Sequence, residues 1–182
     1  MIPKYKQLVN HNRVEYLQFA AKNKIHNPIS LEKNKKNKIS FAGSYYANRH
    51  PERKQDMDNI LNISNEFGLD IYDRNFIANQ QAQNSHFKFP EHLQENVIGT
   101  LEYHEIDKAY KCYRLTLNVN SVKNSPTMFS RRVFESMASG TPIISSYATG
   151  LKKTFRNTVA LLEDDKDESF KEEINKLLKD NI

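Results

Sequence analysis

A cluster of charged residues stands out in the segment MFSRRVFESMASGTPIISSYATG, residues 128–150, of a chain that is otherwise rich in Asn and Lys. Arg131, Arg132 and Glu135 place two cations and one carboxylate close together in the sequence. Guanidinium groups form charge-assisted hydrogen bonds with phosphates, and an ionised carboxylate accepts hydrogen bonds from hydroxyl groups. The cluster therefore suggests a site for an anion that carries vicinal hydroxyls, as a nucleotide does.

The spacing of apolar residues predicts a helix over 129–139, followed by a tight turn at Gly140 and a strand over 141–146. At 100° per residue, one side of this helix is apolar and is expected to pack on a sheet. The other side carries Arg131, Arg132, Glu135 and Ser139 and is expected to face a ligand. Arg131 should lie nearer to Glu135 and the helix N-terminus, with Arg132 turned toward the flank.

Two interpretations of the charged side remain open. Free N–H groups and the dipole at a helix N-terminus favour a bound phosphate, and this anion would offset the unfavourable placement of arginines in the first turn. Alternatively, Arg131 and Glu135 form an ordinary i,i+4 surface pair, which contributes about 0.5 kcal/mol or less.

The elements that must position this cluster alternate between strand and helix. Strands are predicted at 39–43, 69–72, 96–99, 115–120, 141–146 and 158–163, and helices at 9–24, 51–67, 104–113, 129–139 and 166–180. The alternation indicates an α/β fold, a Rossmann-like parallel sheet flanked by helices. Ligands of such sheets bind beyond the carboxyl ends of the strands, so the loops after Ala42, Gly99, Asn120 and Ser146 should share one rim.

Composition narrows the class of protein. The chain has 182 residues, 38% of them apolar, and a net charge of +5. No apolar run is long enough for a membrane span. A single cysteine, Cys112, excludes an internal disulfide framework and predicts the cytoplasm. Residues 1–38 carry nine Lys or Arg against two Glu, which suits a solvated or partner-facing segment better than nucleic-acid binding.

The motif RVFESMASGTPIIS resembles the signature of group-1 glycosyltransferases of the GT-B fold. The blocks FAGSYY, PERK and VIGTLEYHEIDKAYKCYRLTLNVNS agree with it in order and spacing, so that the resemblance covers about 38–156. The spore-maturation-protein-like branch is the most similar. The resemblance implies the C-terminal, nucleotide-sugar-binding half of such an enzyme. It also implies transfer with retention at the anomeric carbon, without an obligatory metal or a cofactor.

The resemblance also implies roles for residues at matching positions. Glu135 would hold the ribose hydroxyls, and Ser130 and Arg131 would meet the phosphates and the sugar. Thr127, Met128 and Phe129 would touch the donor sugar, the backbone of Leu101 would border the base, and Gly43 and Ser44 would lie beside the phosphates. Arg131 and Glu135 are the catalytic candidates.

The sequence departs from the family pattern in two respects. Many relatives carry a second glutamate eight positions before the ribose glutamate, where this chain has Thr127. An N-terminal acceptor-binding domain, which such enzymes carry, is expected to be missing from this half. We expect an N-terminal helix and basic interdomain linker (1–37), a donor-nucleotide-binding domain (38–165) and a C-terminal helix (166–182). The expected donor is a UDP- or GDP-sugar, and the acceptor is unknown. A nucleotide-binding module without catalysis is the alternative, and a basic nucleic-acid-binding protein is a more distant one.

Other polar groups are weaker candidates. Asp56 and Asp58 form an Asp-x-Asp motif, but on a helix the two side chains point about 200° apart and cannot share an ion. The acidic run 163–168 suits the first turn of a helix. Arg49 and Arg53 lie near the expected phosphates. His104, Tyr45, Tyr46 and Cys112 are interpreted as structural residues. The histidines show no zinc spacing, and no metal site is predicted.

Overall fold

A computed structural model of the chain describes residues 2–46, 51–82, 85–163 and 166–180. The strands are β1 (Lys36–Gly43), β2 (Leu69–Asp73), β3 (Val97–Gly99), β4 (Tyr113–Asn118), β5 (Ile143–Ser146) and β6 (Ala160–Leu162). The helices are α1 (Ile2–Leu8), α2 (Pro51–Asn65), α3 (Phe76–Gln81), α4 (Lys108–Lys111), α5 (Arg132–Ala138), α6 (Thr149–Thr154) and α7 (Asp167–Lys179). Two 3₁₀ turns span Glu91–Asn96 and Tyr103–Glu105.

The six strands form one parallel sheet in the order β3-β2-β1-β4-β5-β6. This is the Rossmann strand order, which reverses direction between β1 and β4 and opens a crevice there. The α/β, Rossmann-like prediction is therefore confirmed.

Residues along β1 point alternately to the two faces of the sheet. Ile39 and Phe41 belong to the main core with α2 and α7. Ser40 donates a hydrogen bond to the Ala109 carbonyl of α4, and Ala42 packs with Tyr110 of the same helix. Helices thus cover both faces, and the fully buried Ile39 and Phe41 each contribute about 1.5–3 kcal/mol by burial.

One predicted helix is absent, and one observed helix was not predicted. The helix expected at 9–24 is absent, and the helical residues are 2–8. The apolar residues of 9–24 meet no surface that would bury them, so their rough periodicity does not produce a helix. Helix α6 was not predicted, because its Thr149 and Gly150 are poor helix formers. Gly68 and Gly140 adopt positive φ angles of 83° and 73°, as expected of the turns that end α2 and α5.

Candidate functional site

A cavity of about 660 Å³ opens at the crevice where the strand order reverses. Its walls come from the ends of β1 and β2, the loop after β3, helix α4 and the start of α5. The lining includes Gly43, Ser44, Arg53, Arg74, Leu101, Glu102, Ser130, Arg131, Arg132 and Glu135. Four of these are arginines and two are glutamates, so the lining carries a net positive charge suited to an anion.

The Arg132 side chain donates hydrogen bonds to both strands that border the crevice. Its Nη2 donates to the carbonyl oxygen of Ala42 in β1, and its Nη1 donates to Oδ1 of Asn118 in β4 over 3.3 Å. The guanidinium also lies over the Phe41 ring, 5.1 Å from its centroid. The expectation that Arg132 turns toward the flank is therefore wrong. Helix α5 begins only at Arg132, and this start directs the side chain toward the strand ends.

Arg131 and Glu135 form the i,i+4 ion pair that was one of the two interpretations, with 2.6 Å between Nε and Oε1. The Arg131 side chain is 53% exposed, whereas Glu135 is only 6% exposed. Tyr110 of α4 donates its hydroxyl to the other carboxylate oxygen of Glu135 over 2.9 Å. Burial, together with the nearby Glu135 carboxylate, raises the pKa of Tyr110, so this hydroxyl remains a donor at neutral pH.

The polar side of α5 is more buried than expected. Ser136 and Ser139 are fully buried, and the Ser139 hydroxyl donates to the Glu135 carbonyl over 2.8 Å. Phe134, on the side expected to pack on the sheet, is half-buried and stacks on Phe129. Tyr110 of α4 lies against Glu135 on the polar side, and Phe129 of the preceding loop lies against Phe134.

A buried network of amide and hydroxyl groups holds the loop that precedes α5. Asn120 donates to the Ser145 hydroxyl over 3.0 Å and to the Ser146 carbonyl over 2.7 Å. Its Oδ1 accepts from the backbone N–H of Ser130 over 3.1 Å. Asn118 donates to Ser145 as well. Asn120 was expected on the rim, but no role was predicted for either asparagine, although polar residues are unusual at the buried end of a strand.

Arg53 of α2 reaches the cavity from the opposite side. Its Nε donates to the Ser121 hydroxyl over 3.1 Å, and its guanidinium lies 5.1 Å from the centroid of the Tyr46 ring. Burial lowers the pKa of Arg53, and the nearby Arg132 adds to this effect. The side chain is therefore partly desolvated before any ligand arrives. Arg49 lies outside the described residues.

Six of the nine predicted site residues lie around the cavity: Gly43, Ser44, Leu101, Ser130, Arg131 and Glu135. Thr127, Met128 and Phe129 do not. They line a neighbouring hollow of about 240 Å³ together with residues 16–19 of the N-terminal segment. Phe129 is buried there against Phe155 as part of a separate core cluster.

The weaker candidates are engaged in structural contacts. Asp56 pairs with Lys123, and Asp58 accepts from Tyr45 and pairs with Lys54, so the two carboxylates face different partners. Part of the acidic run 163–168 lies outside the described residues. Within the described residues, Asp167 and Glu168 occupy the first turn of α7.

The thiol and imidazole candidates likewise lack a chemical role in the described structure. Burial raises the pKa of Cys112, which disfavours the thiolate. His104 lies in a 3₁₀ turn and is exposed. No three His, Cys, Asp or Glu side chains among the described residues come together as a metal-binding group.

A parallel sheet in the Rossmann order with an arginine-lined cavity at its crevice defines an α/β domain of the Rossmann-like type. The family model described as glycosyl transferase-like matches residues 74–181, which is more than half of the chain. The protein belongs to this glycosyl transferase-like family, and the resemblance to a GT-B glycosyltransferase domain is confirmed. The match does not specify the spore-maturation branch. A search of curated proteins finds no match to the chain.

Among the described residues, none of the helices has both the length and the apolar composition needed to cross a bilayer.

Proposed function

We propose that this chain is the donor-binding domain of a glycosyltransferase and that the cavity binds a nucleoside diphosphate sugar, either a UDP- or a GDP-sugar. The single observation that carries the proposal is the cavity itself. It lies at the reversal of the strand order, and Arg53, Arg74, Arg131 and Arg132 line it. An excess of guanidinium groups in one cavity suits a diphosphate better than a neutral metabolite.

The cavity has two chemically distinct ends. Arg53, Arg132 and Gly43 lie toward the end of β1 and would meet the phosphates. Gly43 has no room for a side chain, because a Cβ there would lie 2.7 Å from the Phe41 ring and 3.1 Å from Nη2 of Arg132. Leu101 lies in the loop after β3, in an apolar cluster with Tyr110, where a base would fit.

Glu135 lines the same cavity and accepts from Tyr110 of the Leu101 cluster, and we propose that it binds the ribose that connects the base to the phosphates. This placement agrees with the role that the family resemblance gives to the residue. In the transfer step, the arginines would stabilise the negative charge that develops on the departing diphosphate. We propose transfer with retention and without an obligatory metal or cofactor.

The biological setting of the proposed reaction follows from the family resemblance. The acceptor is unknown, and synthesis of cell-surface or wall polysaccharide on the cytoplasmic side of the membrane is the expected setting. A second Rossmann-like domain on the N-terminal side would bind the acceptor.

A module that binds the nucleotide without catalysis is the second candidate. One observation favours it: both oxygens of the buried Glu135 already have a protein partner, Arg131 or Tyr110. A carboxylate held by two donors in this way has a fixed orientation, which suits it to binding a ligand.

Titration calorimetry with UDP and GDP, in buffer with a metal chelator, tests the binding that both candidates require. A ligand present at one hundred times its Kd adds about 2.7 kcal/mol to the free energy of unfolding, so thermal shifts give an independent measurement. Absence of binding by either diphosphate would contradict both candidates. Hydrolysis of a UDP- or GDP-sugar by the chain, measured as released sugar, would support the transferase over the module.

A further inference from the structure

The N-terminal residues 2–19 present an apolar surface that the rest of the domain does not cover. It consists of Tyr5, Leu8, Val9, Tyr16, Leu17 and Phe19, each at least half exposed. Leu17 is 99% exposed and Leu8 is 70% exposed. Exposed apolar residues that occur singly need no explanation, but a group of this size indicates a surface that binds something.

Helix α1 gives this surface a defined arrangement. None of its residues is buried. At 100° per residue, Tyr5 and Leu8 share one side with Val9, whose N–H bonds to the Tyr5 carbonyl over 3.0 Å. Lys4 and Lys6 flank this apolar side, one at each edge. Lysines in these positions can extend their charged ends away from an apolar phase while their aliphatic stems remain in it.

The charge of the segment is also uncompensated. Lys4, Lys6, Arg13 and Lys24 form no ion pair with any described residue. Glu15 is the only acidic residue before Glu32. By contrast, Lys36 and Lys38, which enter the sheet, both pair with the buried Asp70. The N-terminal segment therefore combines exposed apolar residues with basic residues that have no acidic partner among the described residues.

We propose that residues 2–24 bind an anionic lipid surface, with α1 and residues 16–19 lying in the membrane interface. Exposed aliphatic and aromatic side chains flanked by basic residues are the combination that partitions into an anionic interface. The observations favour lipid over two other partners. Leu8, Val9 and Leu17 have nothing to offer a nucleic-acid backbone, and a second copy of the chain would bring like charges together.

The C-terminal part of this segment lies near the cavity. Residues 16–19 share a hollow with Met128 and Phe129, and Nζ of Lys22 lies 5.6 Å from the centroid of the Tyr103 ring, which lines the cavity. Binding to lipid through residues 2–24 would hold the cavity close to the membrane. The inference concerns binding to lipid and does not depend on what the cavity binds.

The test is sedimentation of the full chain with vesicles of phosphatidylcholine alone and with vesicles in which one third of the lipid is phosphatidylglycerol. We expect binding to the anionic vesicles only. Lys4→Glu with Lys6→Glu should weaken it by roughly tenfold or more, since each basic residue near such a surface contributes about a factor of five. The matched control, Lys153→Glu with Lys176→Glu, has the same change in net charge on α6 and α7 and should bind at least threefold more tightly than the N-terminal charge variant.

A second pair of variants tests the apolar contribution. Leu8→Asp with Leu17→Asp should reduce binding to anionic vesicles by at least tenfold, while Ile77→Asp, at an exposed position on α3, should have a much smaller effect. The proposal is overturned if the full chain does not bind anionic vesicles, or if the paired variants bind as the unchanged chain does. It is also overturned if Leu17→Asp converts a dimer to a monomer, or if an RNA or DNA duplex binds in preference to lipid.

Discussion

Replacement of Arg132 by alanine should weaken a nucleoside diphosphate more than replacement of its neighbour Arg131. A hydrogen bond to a charged group contributes about 1.5–3 kcal/mol, which corresponds to a roughly 10- to 150-fold increase in Kd. Arg132 lies at the strand ends between Ala42 and Asn118, where the crevice opens. Arg131 is half exposed and bonded to Glu135. Its remaining charge is screened by solvent, so we expect a loss of less than about 1 kcal/mol.

Titration calorimetry with UDP, GDP and their nucleosides separates a phosphate contact from a general disturbance of the site. For Arg132→Ala the diphosphates should lose affinity and the nucleosides should change little, because a nucleoside carries no phosphate. Arg132→Lys should give an intermediate loss, since lysine keeps the charge but cannot bond to two oxygens at once as a guanidinium does.

Arg132 also has structural contacts, so its loss should lower the free energy of unfolding. Urea denaturation of each variant measures this loss. Affinities are then compared at a temperature at which all variants are folded. The reasoning is refuted if Arg131→Ala causes the larger loss, or if nucleoside and diphosphate lose affinity equally in Arg132→Ala.

Three further changes test other parts of the site. Glu135→Gln should weaken UDP or GDP by about 1–3 kcal/mol and the 2′-deoxynucleotides much less, and equal losses by calorimetry would remove the ribose role. Asn120→Ala should lower the free energy of unfolding by at least about 2 kcal/mol in urea denaturation, since it leaves buried partners such as the Ser130 N–H unsatisfied, and a loss under about 0.5 kcal/mol would contradict this. Burial lowers the pKa of His26 below its ordinary value of 6.5, so the unfolded chain takes up a proton first and stability is lost as the pH falls below that value. His26→Asn, which can still accept from the Lys22 N–H, should flatten this loss between about pH 7 and pH 5, and an unchanged slope would show that another group is responsible.

The sheet and the location of the site were predictable, because they follow from short-range patterns. Apolar runs with β-branched residues and positive-φ glycines mark the strands and turns of this chain well. All six strands were predicted within a few residues of their observed bounds. The rim that the loops share follows from the parallel arrangement alone. The cluster of Arg131, Arg132 and Glu135 was therefore correctly assigned to the crevice end of the sheet.

The direction of each side chain within the site was not predictable in the same way. Helix α5 begins three residues later than predicted, at Arg132, and the Arg132 side chain bonds to Ala42 and Asn118 at the strand ends. The partner of Glu135 on the other helix, Tyr110, is 25 residues away in the sequence, and no periodic pattern connects the two. The asparagine network was missed because Asn118 and Asn120 occupy the ordinary polar positions of an alternating strand and form no motif.

A count of hydrogen-bond acceptor positions indicates that Glu135 can keep its ion pair with Arg131 and still make the proposed ribose contact. A carboxylate offers about four lone-pair positions. Arg131 occupies one and Tyr110 another, one on each oxygen. Two positions remain, which is the number that two vicinal hydroxyls require. Because both existing partners are donors, they fix the orientation of the carboxylate before a ligand binds and reduce the entropy lost on binding. The ion pair between Arg131 and Glu135 is thus a structural contact that also orients the carboxylate for a ligand.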